Sequence, residues 1–176
     1  MKIEKKFIDI NYTKGVVIKP KYIVIHETAN RSKGADANAH YRYWSRNASA
    51  KSSAHFVVDD STVIQLGEFE PGKCRKMWHV GGRAGKYKNP IYNSNSIGIE
   101  ICVNSDGDYD CAFAKAAELT RYIMSVTGIP AENVVRHYDS WGKHCPATML
   151  ERPSLWVEFK RRVSQVDKVI ATGKVR

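Results

Sequence analysis

The sequence predicts an α/β fold, a central mixed β-sheet flanked by helices. Three observations predict it. Short apolar runs such as Tyr22-Ile23-Val24-Ile25 have the length of buried strands. Between such runs lie longer stretches whose apolar residues recur at helical spacing, as in residues 111–127. Strands and helices alternate along the chain, the order that covers a sheet with helices.

The elements follow in order. Residues 22–26 read as a short buried strand ending in His26, and residues 34–47, with Ala35, Ala37, Ala39, Tyr41, Tyr43 and Trp44, as a helix. Ala54 to Val58, a turn at Asp59-Asp60 and Thr62 to Leu66 read as a hairpin. Residues 67–95 are rich in Gly, Pro and Asn and are expected to be loops with a short helix. Ser96 to Val103 is a strand. In the clearest helix, 111–127, Ala112, Ala116, Leu119, Ile123 and Val126 share one face. Asp110 is its expected N-cap and Gly128 its C′ residue, and Pro130 prevents continuation. Asn133 to Arg136 is a strand leading into His137. Pro153 opens a last helix carrying Leu155, Trp156, Phe159 and Val163. No repeat, low-complexity segment or linker divides the chain, so one domain is the simplest account.

Composition is that of a soluble globular protein, 43% hydrophobic and 26% charged. No apolar stretch approaches the roughly 18 residues that span a bilayer. The charged start, Met1 to Lys6, is not followed by an apolar h-region, because Asp9, Asn11 and Thr13 interrupt it. Synthesis in the cytoplasm without a Sec-type signal is therefore expected, with release by another route. Cys74, Cys102, Cys111 and Cys145 form no C-x-x-C pair. Four free thiols are the simpler reading, with a Cys102–Cys111 disulfide as the alternative. The net charge of +10 is concentrated at the ends. Residues 1–21 carry six lysines against Glu4 and Asp9, residues 160–176 six Lys or Arg against Asp167, and the middle is nearly neutral. Such ends attract polyanions, whether nucleic acid, an anionic membrane surface or wall polymers, or serve only solubility. The basic residues are not interleaved with aromatics, so no nucleic-acid partner is expected. A monomer is expected.

The residues that could carry chemistry are few. His26, His137 and Cys145 are two imidazoles and a thiolate, the types that make a catalytic zinc site with its fourth tetrahedral position open. Taken singly, a strand-end histidine is more often a hydrogen-bonded core residue, and a lone cysteine usually packing. Glu100 lies in Ser96-Ile97-Gly98-Ile99-Glu100-Ile101, where the odd positions are aliphatic. Period two puts Glu100 on the opposite face, either in water or facing a cleft as a general base. Lys143, two residues before Cys145, could stabilise an oxyanion or simply be solvated. Asn104 to Asp110 hints at a calcium loop, but started from Asn104 or Asp106 it has no Gly at the sixth position and no Glu at the twelfth, and it reads as a turn. His40 and His55 are expected to be structural. Trp78-His79-Val80-Gly81-Gly82 suits a groove wall that binds sugar or peptide, with Trp78 and His79 as substrate contacts.

Five segments now carry a resemblance: Ile23-Val24-Ile25-His26-Glu27-Thr28, Ser53-Ala54-His55-Phe56-Val57-Val58, Trp78-His79-Val80-Gly81, Asn95-Ser96-Ile97-Gly98-Ile99-Glu100, and His137-Tyr138-Asp139 through Lys143-His144-Cys145-Pro146. Together and in this order, over about 22–159, the chain resembles the type 2 zinc-dependent N-acetylmuramoyl-L-alanine amidases. That family shares its fold with the peptidoglycan recognition proteins. The resemblance implies one Zn2+ per chain held by His26, His137 and Cys145, Glu100 as base and Lys143 as oxyanion stabiliser. It implies cleavage of peptidoglycan between the muramic-acid lactyl group and L-Ala. Binding-only relatives typically lack the cysteine ligand and cytoplasmic recycling amidases carry Asp there, so Cys145 makes the chain resemble a wall-lysing phage or prophage endolysin. The alternatives are a non-catalytic peptidoglycan-binding module and a wall endopeptidase. Where some relatives place a catalytic Tyr before the histidine matching His55, this chain has Ala54, which leaves the polar chemistry to Glu100. The implied organisation is a basic N-terminal extension over 1–21, a catalytic domain over 22–159 and a basic helix end and tail over 160–176.

Overall fold

The computed structural model describes residues 1–81 and 90–165. Eight strands occur among them: β1 (Glu4–Lys5), β2 (Tyr12–Val17), β3 (Tyr22–Glu27), β4 (Phe56–Val58), β5 (Val63–Gln65), β6 (Arg75–Met77), β7 (Ser96–Ile101) and β8 (Val134–Arg136). The helices are α1 (Ala37–Arg46), α2 (Tyr109–Thr127), α3 (His137–Trp141), α4 (Ala147–Glu151) and α5 (Pro153–Ser164). Six strands form one mixed sheet in the order β1-β5-β4-β7-β3-β8, and β2 pairs with β6 in a separate antiparallel ribbon. This is the expected α/β sheet flanked by helices.

The sheet's two faces explain its sequence. Ile97, Ile99 and Ile101 of β7 pack with Ile23 and Ile25 of β3 in the main core, which α2 and α5 close through Phe113, Leu119, Ile123 and Phe159. The other face carries Val57 and Ile64, which cluster with Met77 of β6 and Trp44 of α1. α5 begins at Pro153, where a missing N–H costs nothing.

Some expectations need correction. The N-cap of the long helix is Asp108, whose side chain accepts the Cys111 N–H; Asp110 lies in the first turn, where its charge suits the helix dipole. No helix occurs among the described residues of 67–95, which instead supply β6. Helices α3 and α4 occupy what reads as loop. Residues 1–21 supply β1, which extends the main sheet, and β2, and they bury Ile8 and Ile18. All four cysteines are free, with Cys111 exposed and Cys102 buried. No helix among the described residues is long and apolar enough to cross a membrane.

Candidate active site

The site forms where three parallel strands end together. In β3 and β7 the pairing is parallel and in register, so His26 lies directly beside Glu100. β8 pairs in parallel on the other side of β3, with Ile25 opposite Arg136, so the next residue, His137, emerges beside His26. Carboxyl ends of strands are where open α/β sheets collect their ligands. Cys145 returns to this point because α3 is only five residues long and stops at Gly142, whose φ of 84° suits glycine. The Tyr138 N–H then binds the Cys145 carbonyl at 2.8 Å, closing the excursion.

His26, His137 and Cys145 are all buried, and their ligand atoms lie within 4.8 Å of one another. His26 Nδ1 is 2.9 Å from His137 Nδ1 and 4.0 Å from Cys145 Sγ. A tetrahedral zinc ion needs about 3.3 Å between two nitrogens and about 3.6 Å between nitrogen and sulfur, so the set fits with small adjustments. Burial pushes both imidazoles down, His137 to about 3 and His26 well below its ordinary value, with the neighbouring histidines and Lys143 adding to it. Both are therefore neutral, the form that donates a lone pair to a metal. Without a cation burial pushes the Cys145 thiol up to about 12, so a thiolate there calls for one.

Glu100 faces the same cleft, its side chain 15% exposed and Oε1 3.9 Å from His26 Nδ1. Its other oxygen is buried without a hydrogen-bond partner. Burial raises this carboxyl to about 7, the Lys143 charge opposing and the Glu27 charge assisting the shift. An orphaned, buried carboxylate oxygen beside three metal-type ligands is an acceptor awaiting a proton. The cleft has a volume of about 410 Å³, and His26, Glu100, His137, Lys143, Cys145 and Trp78 line it.

A model of the N-acetylmuramoyl-L-alanine amidase family matches residues 17–148 of the chain. The chain belongs to this family. Among its relatives is the N-acetylmuramoyl-L-alanine amidase CwlH of Bacillus subtilis (strain 168), 39% identical over 94% of this chain and 62% of CwlH. The amidase XlyA of the same organism is 40% identical over 87% of this chain and 47% of XlyA. The chain thus spans about half to three fifths of the length of these curated relatives. The solved catalytic domain of XlyA superposes with a TM-score of 0.79 at 38% identity, covering 93% of this chain and 99% of that domain.

Within this amidase fold, the structure brings together His26, His137, Cys145, Glu100 and Lys143. Trp78 also reaches the cleft, half-buried, its indole N–H donating to Thr13 Oγ1 at 2.9 Å. His79 also borders the cleft, buried, with Nδ1 3.1 Å from His26 Nε2 and Nε2 3.2 Å from the Ser96 carbonyl oxygen. Gly82, the end of that segment, lies outside the described residues. His55 is structural: Nδ1 accepts the Gly98 N–H at 3.0 Å and Nε2 donates to the Arg75 carbonyl at 2.9 Å. His40 donates through Nδ1 to the Asp36 carbonyl at 2.9 Å within α1.

Glu27 escapes a reading by residue type alone. Its buried carboxylate accepts the Tyr109 hydroxyl of α2 at 2.6 Å and the Thr148 N–H of α4 at 2.9 Å. Its backbone N–H points at Cys145 Sγ, 3.5 Å away. The available signal is that a carboxylate follows His26 at the end of a buried strand, where an unpaired charge would be costly.

Proposed function

We propose that this chain is a zinc-dependent peptidoglycan hydrolase that cleaves the amide between N-acetylmuramic acid and L-alanine, acting on bacterial walls as an endolysin. The observation that carries the reading is the convergence of His26, His137, Cys145 and the orphaned Glu100 carboxylate in one cleft. Family membership and the names of CwlH and XlyA supply the substrate.

His26 and His137 would hold Zn2+ through Nδ1 and Cys145 through Sγ, one ion per chain. When bound, the ion supplies Lewis acidity, polarising the scissile carbonyl and acidifying water. Glu100 takes a proton from the attacking water and returns it to the departing amine of L-Ala. The two steps leave its carboxylate as it began. In the metal-free chain burial raises this carboxyl to about 7, and a cation close by would lower it again, leaving a carboxylate able to accept the proton. Lys143, exposed at the cleft, offers its ammonium to the negative charge developing on the lactyl oxygen. Trp78 would form part of the wall against which the glycan or stem peptide lies. On this reading the protein is made in the cytoplasm and reaches the wall after release.

The test is digestion of purified peptidoglycan with and without a chelator. The expected product is new amino-terminal L-Ala without new reducing sugar, lost with chelator and restored by Zn2+. Any other new terminus would instead make the chain an endopeptidase. Wall binding without any product would make it a recognition module.

A further inference from the structure

Beneath the metal-type ligands, one strand position is glycine for reasons of space rather than backbone conformation. A Cβ built on Gly98 of β7 would lie 2.6 Å from both Cγ and Nδ1 of His79, far inside contact distance. The His79 ring is thus seated against Gly98, on the same strand face as Ser96 and Glu100. Its backbone is held as well, because Asn93 Oδ1 accepts the N–H groups of both His79 and Val80, at 2.9 and 2.7 Å.

Counting protons along this row fixes its direction. The Ser96 carbonyl can only accept, and the Ser96 hydroxyl, 3.3 Å from His79 Nε2, gives its hydrogen to the Tyr92 carbonyl at 2.6 Å, so His79 Nε2, 3.2 Å from the Ser96 carbonyl, carries the hydrogen. In a neutral ring that leaves the His79 Nδ1 lone pair facing His26 Nε2 at 3.1 Å. His26 must then donate from Nε2, which leaves its Nδ1 lone pair free, and Nδ1 is the atom that meets His137 and Cys145. We propose that His79 is a positioning residue which, seated on Gly98, fixes His26 in the tautomer and orientation needed to bind the metal. His79 borders the cleft, but both its nitrogens are spent in this row, which leaves no polar atom of the ring for substrate. An imidazole relaying to a carbonyl does here what a carboxylate or carbonyl does directly behind most ligating histidines.

The inference rests on the zinc reading, and the experiment separates the two. Zn2+ affinity of the metal-free full chain is measured by competition with a chromogenic chelator, and the Co2+-loaded absorption spectrum is recorded. Wild type should bind one ion, and its failure to do so would overturn both readings. His79→Ala should bind Zn2+ about 10- to 100-fold more weakly, with altered Co2+ bands and a smaller loss for His79→Gln, which keeps an acceptor. Gly98→Ala should weaken binding by displacing the ring, and the His79→Ala/Gly98→Ala double variant should bind no more weakly than His79→Ala. Wild-type affinity and an unchanged spectrum in His79→Ala, with only KM raised, would mean a substrate contact and overturn the proposal. If His79→Ala does not fold, His79→Gln and Gly98→Ala decide it, and wild-type affinity in both would overturn it.

Discussion

On the proposed mechanism Glu100 acts as a base where burial makes its charge costly, and that conflict yields a prediction at the residue scale. In the metal-free chain its pKa is raised to about 7, chiefly by burial. A divalent cation close by favours the carboxylate and pulls the value down again. The acid limb of kcat/KM should therefore fall at or below pH 7 and disappear in Glu100→Gln. That variant should keep Zn2+ affinity while losing about 100- to 10,000-fold in turnover; near-normal turnover would remove Glu100 from the mechanism. His55 gives a second prediction, about stability. It is wholly buried and held neutral, its pKa pushed by burial to about 3 from an ordinary 6.5. A depressed histidine pKa means that the unfolded chain binds the proton first, so stability is full above about pH 6.5 and falls as pH drops towards 3. Between pH 7 and pH 4 this one group should cost about 3 kcal/mol, at about 1.4 kcal/mol per pH unit below 6.5. Urea unfolding of the metal-free protein at both pH values should show a smaller pH dependence in His55→Asn, whose amide oxygen can replace Nδ1 as acceptor. An equal pH dependence in both proteins would show that the acid sensitivity lies elsewhere.

At the scale of elements, one carboxylate ties three together. Glu27 ends β3 beside His26, and its oxygens take the Tyr109 hydroxyl of α2 and the Thr148 N–H of α4. Losing one hydrogen bond to a charged group costs about 1.5–3 kcal/mol. Tyr109→Phe should lose about that much stability in urea titration. Glu27→Ala should lose more, because it orphans both donors and frees α4, which begins two residues after Cys145. A Glu27→Ala loss no larger than that of Tyr109→Phe would mean that Thr148 finds another partner. The elements around this clamp differed in how far the sequence announced them. β7 was legible because Ile97, Ile99 and Ile101 alternate with Ser96, Gly98 and Glu100, and so were His26 and His137, each directly after a short apolar strand pattern. β1 and β6 were not, because Glu4-Lys5 and Arg75-Lys76-Met77 are short, charged and paired only through tertiary contacts. β2 hid behind Lys14 and the turn-like Gly15, whose φ is 73°. The two aspartates at the start of α2 could each cap it, and only the backbone decides for Asp108. The place of His79 beneath the ligands could not be read from its Trp and Gly neighbours, which describe a groove wall equally well.

At the scale of the whole molecule, the basic charge lies away from the candidate site, and the question is whether the basic ends would hold the chain on the wall that the proposed function gives it. Lys2, Lys5, Lys14, Lys19 and Lys21 are exposed, whereas Lys6 is engaged with Glu4 at 2.9 Å and Asn38 at 2.7 Å. At the other end Lys160 is held by the Ala131 and Val134 carbonyls, and Arg161 and Arg162 pair with Glu158. Residues 166–176, with Lys168, Lys174 and Arg176, lie outside the described residues. Deleting residues 1–21 would not isolate their charge, since it would also remove β1 and the buried Ile8 and Ile18. Neutralisation is the cleaner change: Lys→Gln at the five exposed positions keeps the chain and removes five positive charges. If these lysines hold anionic wall polymers, the variant should sediment less with purified walls at low salt. The difference should close as added salt shortens the screening length from about 10 Å at 0.1 M towards about 3 Å at 1 M. Hydrolysis of small soluble muropeptides should be unchanged, because none of the five lines the cleft. Equal sedimentation of the two proteins at low salt would assign these lysines to solubility alone. A parallel fall in muropeptide hydrolysis would instead mean that the N-terminal strands shape the site and not only the attachment.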